Sequence, residues 1–221
     1  MTAGAHLLKA TEAAVVAGAD IGIVNQLLSK HVLPDEPFVR NGGRHVLIGG
    51  CVAINFYIHS AGVLDAHARR SAIARMLNKL RKLDTYRMDM KRFRRADWTV
   101  RETFVTIEFW DVLKDTFARF ERLESARAIV VVDDKILAGA PILKGTRIPV
   151  YIVAAMVSAG VSKAEIVKDY PGLDEEQMEL AAIYANANPL IGRPISHPKL
   201  PVSVSLIERK FARAETPTDA Y

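Results

Sequence analysis

The chain has 221 residues, half of them apolar and a quarter charged, with a net charge of +5 and a single cysteine. That length holds one large globular domain or two small ones, and no uninterrupted apolar run is long enough to span a membrane. One cysteine rules out an internal disulfide, and Glu12 and Asp20 interrupt the amino-terminal apolar run, so no signal peptide is expected and a reducing cytoplasm fits.

In chain order, Thr11 is placed to cap a helix over "TEAAVVAGAD" that Gly18 ends. Asp20 can cap a second helix, "IGIVNQLLSKHV", in which Ile23, Val24, Leu27 and Leu28 recur at helical spacing and which Pro34 and Pro37 stop. In "FVRNGGRHVLI" two β-prone runs flank Asn41-Gly42-Gly43, and Asn-Gly supplies the positive φ angles of a tight hairpin. Two helices joined by a short turn and followed by a basic hairpin describe a winged helix-turn-helix over residues 1–62. In that geometry the second helix enters the major groove of DNA and offers Asn25, Gln26, Ser29 and Lys30 to bases and phosphates. Arg40, Arg44 and His45 on the wing reach the backbone or the minor groove. "TEAAVVAG" followed by "LLSKHVLP" resembles the small winged modules of MerR-like regulators. A helical hairpin with an edge ribbon and no DNA role is the plainer alternative.

"CVAINFYIHSAG" is apolar nearly all round and predicts a buried helix, with Cys51 a small core residue rather than a nucleophile. "LDAHARRSAIARMLNKLRKL" puts Ile73, Met76, Leu77 and Leu80 on one stripe and Arg69, Arg70, Arg75, Lys79, Arg81 and Lys82 around it. This amphipathic basic helix connects two halves of the chain or pairs with a symmetry mate. Residues 69–101 hold 12 Lys or Arg against 3 Asp, a net +9, while the flanking segments balance at −1 and −3. Such a block points to a polyanion, nucleic acid or an acidic protein face, against the plainer reading of a solvated helix face. Arg69 and Arg70 therefore join the DNA-binding candidates. "TYRMDMKRFRRADW" has no period, so residues 63–97 read as a basic helix and linker.

"WTVRETFVTIEF" has the composition of a strand, and "DVLKDTFARFERLESA" that of a helix capped by Asp111 with Val112, Leu113, Phe117, Phe120 and Leu123 inward. "AIVVVDDKILAGAPILKGTRIPV" returns to strand character, broken at Asp133-Asp134 and Gly139. Pro149 suits the first turn of a helix whose stripe is Ile152, Val153, Met156 and Val157 and which Gly160 closes. Ser162 with Glu165 and Asp174 with Gln177 form capping boxes for two further helices, flanking the turn Tyr170-Pro171-Gly172-Leu173. Leu180, Ile183 and Tyr184 face inward. Gly145 lets the ribbon turn, Thr146 satisfies local backbone groups, and Arg147 is expected to pair with a carboxylate. Residues 98–190 thus form a β-ribbon and a three-helix, helix-turn-helix-like domain, and the whole chain is mainly α with small β-hairpins. Asp174, Glu175, Glu176 and Glu179 would be repelled by phosphates, so this second helix-turn-helix suits dimerisation or a scaffold rather than DNA.

Residues 129–190 resemble the domain of unknown function 433 found in VapB-type antitoxins of type II toxin–antitoxin modules. The match is carried by Gly139 and Pro141, Gly145 to Val150, Gly160, Tyr170 to Leu173, and Ala181 to Ala185. The resemblance implies an antitoxin that inhibits a PIN-domain ribonuclease, whose clustered acids bind a divalent metal, and that represses its own operon by binding operator DNA. It implies a homodimer or a toxin–antitoxin hetero-oligomer. It also makes residues 191–221 a flexible toxin-binding tail, with Arg193, Arg209, Lys210 and Arg213 as candidates to enter the toxin site and Phe211 among the apolar residues that anchor them. A stand-alone MerR-like regulator with a C-terminal dimerisation domain is the alternative. No catalytic constellation, metal-ligand spacing among the six histidines, or phosphate-binding loop stands out, so neither an enzyme nor a cofactor is expected.

Overall fold

The first helix starts earlier than its sequence suggests. The computed structural model of the chain, which describes residues 7–39, 44–82, 95–101 and 105–190, places Lys9 at the N-cap of α1 (Ala10–Ala17). The Glu12 carboxylate reaches back to accept the Lys9 backbone N–H at 2.8 Å. Thr11 is not the cap; its hydroxyl points sideways and donates to the Ala187 carbonyl at 2.6 Å. Gly18, at φ +64°, closes α1 in the left-handed conformation that favours glycine. Asp20 caps α2 (Ile21–Ser29), its Oδ1 accepting from the Gly22 and Ile23 backbones at 2.7 and 3.2 Å. Val24, Leu27 and Leu28 are buried, but Ile23 is exposed. It lies about 140° round the helix from Leu28, beyond the arc that faces the core.

Strands β1 (Leu8–Lys9), β2 (Phe38–Val39) and β3 (His45–Val46) form an antiparallel sheet in the order β1-β3-β2, with Val46 opposite both Leu8 and Phe38. Arg40 and the expected Asn41-Gly42-Gly43 turn lie outside the described residues. The hairpin leans on α3 (Ile48–His59), which is buried from Ile48 through Phe56. Gly50 makes that approach possible, because a Cβ there would come within 2.7 Å of Val46 Cγ1. Asn55, buried among apolar neighbours, donates to the Ala17 carbonyl at 2.9 Å and so helps to satisfy the end of α1.

The stripe of α4 (Ala66–Lys82) is buried as the spacing predicts. The single strand expected over "WTVRETFVTIEF" is instead two, β4 (Thr99–Arg101) and β5 (Thr106–Glu108), paired antiparallel with Val100 opposite Ile107. Folding back buries both side chains, which one extended strand could not do against the same core. In α5 (Trp110–Ala128), Phe109 occupies the N-cap position and Asp111 falls in the first turn. The Phe109 N–H reaches the Trp98 carbonyl, its ring meets Phe56 at 4.4 Å, and the Glu108 carboxylate accepts the Trp110 N–H at 3.0 Å, so packing and Glu108 rather than Asp111 set where this helix begins. Leu113, Phe117, Phe120 and Leu123 are buried, with Thr116 inside and Val112 only half-buried.

Beyond α5 lie β6 (Val130–Val131), a 3-10 turn (Leu137–Gly139), β7 (Ile142–Leu143), α6 (Val150–Ser158), α7 (Lys163–Asp169) and α8 (Glu175–Ala187). Pro149 is the N-cap of α6 rather than part of its first turn, because it still bridges to Ile142 at the end of the ribbon. The buried arc of α6 is Val150, Val153 and Ala154, rotated from the expected stripe; Ile152 is exposed and Met156 and Val157 are half-buried. The rotation follows from α8, which packs along α6. Both capping boxes form, on α7 and on α8. The Thr146 hydroxyl donates to the Leu143 carbonyl at 2.8 Å and accepts the Ile148 N–H at 3.0 Å, closing the turn at Gly145 (φ +78°).

Two apolar clusters result. One runs from Leu8 through Leu123 and takes in Ala187; the other gathers Leu143, Val150, Val153, Ile166, Leu173, Met178 and Ala181. Helix α8 supplies both, its end packing with α1 and α5 and its start with α6. Eight α-helices and three small antiparallel sheets make the described part mainly helical. No helix among the described residues is long and apolar enough to cross a membrane.

Candidate nucleic-acid interface

Burying Val24, Leu27 and Leu28 turns the opposite arc of α2 to solvent, and Asn25, Gln26 and Ser29, with Lys30 just past the last turn, are all exposed. The Ser29 hydroxyl donates to the Asn25 carbonyl at 2.7 Å and accepts from Arg44 Nη1 at 3.1 Å. The hairpin and the helix therefore meet at the Ser29–Arg44 contact. Arg44 is exposed and has no carboxylate partner among the described residues. His45 is half-buried on the neighbouring wall, and its buried Nδ1 finds no hydrogen-bond partner there. His31 Nδ1 lies 3.3 Å from Asp35 Oδ1.

Arg69 is built into the fold. Its guanidinium lies 4.1 Å from the centre of the Tyr57 ring, and it donates to the carbonyls of Tyr57 at 2.6 Å and Asp65 at 3.3 Å, tying α4 to α3. Arg70 is exposed and makes no ion pair with a described residue. Several other cations of the central block are also engaged. Arg75 donates to the Arg101 carbonyl at 3.0 Å, Lys79 to those of Asp97 and Thr99 at 2.8 and 2.7 Å, and Arg81 to Asn78 Oδ1 at 2.8 Å. Part of the +9 charge thus fastens α4 to β4; Arg87, Lys91, Arg92 and Arg94 lie outside the described residues.

The acidic start of α8 is neutralised in part from within, at Glu175 and Glu179. Lys163 Nζ lies 2.7 Å from Glu175 and 3.7 Å from Glu179, and Arg122 donates to Glu179 at 2.7 Å. The hydrogen bond to Glu175 holds the Lys163 ammonium above its ordinary range. Arg147 is exposed and pairs with no carboxylate among the described residues, contrary to expectation, because the turn around it is closed by Thr146 instead. Cys51 is fully buried, and burial pushes its thiol well up from the ordinary value, so it is no ready nucleophile. Among the described residues no three His, Cys, Asp or Glu side chains gather as metal ligands would. Arg193, Arg209, Lys210, Phe211 and Arg213 lie outside the described residues.

Sequence reasoning missed the pairing of Glu12, buried in α1, with Arg127 at the end of α5, at 2.8 Å. No local pattern could have found it, since the partners are far apart in the chain.

Residues 130–185, from β6 into α8, match the family described as protein of unknown function DUF433. Over 214 residues the chain is 41% identical to the uncharacterised protein y4eO of Sinorhizobium fredii (strain NBRC 101917 / NGR234), and the alignment covers 96% of each protein. The chain belongs to the family of y4eO. No solved structure matches it.

Proposed function

We propose that the chain is an antitoxin that binds operator DNA through α2 and the β2–β3 hairpin and inhibits a PIN-domain ribonuclease through residues beyond 190. The observation that carries the DNA-binding half is the contact of Arg44 with Ser29. It brings a cation from the hairpin onto the solvent face of a helix lined by Asn25, Gln26 and Lys30, side chains suited to base edges and phosphates. The element order of strand, two helices, then a hairpin is what a winged helix-turn-helix requires. The toxin-binding half is supported by the DUF433 match, with the VapB-type resemblance of the same residues, and by the cations of residues 191–221. Internal pairing of Glu175 and Glu179 supports a scaffold role for α8, which is packed against α1, α5 and α6.

The test has two arms. A labelled duplex from upstream of the gene is titrated with the full chain at several salt concentrations, and the tagged chain is recovered from its host with and without residues 191–221. Salt-sensitive binding to that duplex, together with a ribonuclease that is lost on deletion of the tail, is the expected result. DNA binding with no co-purifying ribonuclease would leave the stand-alone regulator. Absence of binding to any duplex would remove the DNA-binding half.

A further inference from the structure

Between the end of α2 and the β2–β3 hairpin lies a cavity of about 410 Å³, lined by Leu28, Ser29, His31, Phe38, Val39, Arg44 and His45. We infer that this cavity is a binding site for a small organic anion, an acidic head on an apolar body, held by Arg44. The inference rests on the proposed DNA-binding function only in placing an effector site within the DNA-facing surface.

Three observations point to that class of ligand. The volume lies within the range of about 300–1,000 Å³ in which proteins hold small molecules, and is much larger than a bare phosphate or chloride needs. One part of the wall is apolar, from Leu28, Phe38 and Val39; the other is polar and cationic, so the ligand must have two chemically distinct ends. Among the described residues Arg44 makes one side-chain hydrogen bond, to the Ser29 hydroxyl, and no carboxylate neutralises it. A guanidinium carries five donors, so most of its fork remains for a carboxylate, sulfonate or phosphate. His45 lines the same wall. A ligand held by Arg44 takes the cation that the hairpin offers to DNA, so its occupancy competes with DNA.

The probe is 1-anilinonaphthalene-8-sulfonate, with N-phenyl-1-naphthylamine as its uncharged counterpart, each titrated into the full chain by fluorescence. The sulfonate is expected to saturate one site and to bind the Arg44→Ala variant roughly tenfold more weakly, the usual loss of a charge-assisted contact. The neutral amine should bind weakly and be indifferent to the substitution. Ser29→Asp, which places a carboxylate beside Arg44 on an exposed helix face, should weaken sulfonate binding in the same way with the fold intact by circular dichroism. Unchanged sulfonate affinity in both variants, or equal affinity for the neutral amine, overturns the site. A labelled duplex separates the two ideas. Sulfonate binding that depends on Arg44 in a chain that ignores DNA upholds the site and removes the DNA-binding function. Undiminished DNA binding in the presence of saturating sulfonate overturns the competition.

Discussion

Glu12 and Arg127 meet at 2.8 Å although Glu12 is almost wholly buried in α1 and Arg127 sits a third exposed at the end of α5. Arg127 also pairs with Glu124 of its own helix, and Glu12 also accepts the Lys9 N–H, so the contact welds a helix start to a helix end. Removing the carboxylate leaves both the cap and the guanidinium short of a partner. Glu12→Ala is expected to cost about 2 kcal/mol, discounted because Arg127 is partly solvated and keeps Glu124. Urea denaturation checks this, and the double variant with Arg127→Ala should be clearly less destabilised than the sum of the two singles.

Arg44 and Arg69 should separate binding from stability. Arg44→Ala is expected to weaken duplex binding at every sequence and to lower the salt slope by about one, with thermal stability unchanged. Arg69→Ala removes the Tyr57 stacking and two carbonyl contacts, and should lower the melting temperature. Asn25→Ala or Gln26→Ala should instead relax the preference for one duplex over another. A parallel series of melting curves and anisotropy titrations distinguishes the three patterns.

The turn at Thr146 offers a narrower test. Its hydroxyl makes one bond as donor and one as acceptor within the turn. Thr146→Val keeps the shape and loses both, at an expected cost of about 1–2 kcal/mol, whereas Thr146→Ser should be close to neutral. Chemical denaturation of the pair decides it.

Acid stability follows from three lowered carboxyl groups. Hydrogen bonds from Thr99 hold Asp97 below its usual 3.8, the Ala68 N–H does the same for Asp65, and Ser162 holds Glu165 below its usual 4.5. A carboxyl whose folded value is depressed contributes stability that is complete above its unfolded value and lost as pH falls through the folded one. The melting temperature should therefore hold down to the ordinary carboxyl range and drop below it. Asp97→Asn should flatten part of that drop.

What the sequence showed was local. The caps at Asp20, Ser162 and Asp174 act across two or three residues, and all three formed as expected. The polar face of α2 was legible because helical spacing alone decides which arc stays wet once Val24, Leu27 and Leu28 are buried. The rotated stripe of α6 was not, since its buried arc depends on where α8 lies. Nor was the engagement of Arg69, whose aromatic partner sits on another helix. A helix's charge pattern does not distinguish a cation facing a polyanion from one fastened to a neighbouring carbonyl.

The bond from Thr11 to the Ala187 carbonyl joins residues 176 positions apart. During synthesis the first helix emerges long before its acceptor exists, and the core it belongs to stays open on one side until α8 has left the ribosome. Fragments cut ahead of the DUF433 segment, such as those ending after α5, should therefore emerge sticky and prone to degradation rather than as a free-standing domain. A message truncated ahead of α8 would yield a chain whose main core lacks the helix that closes it.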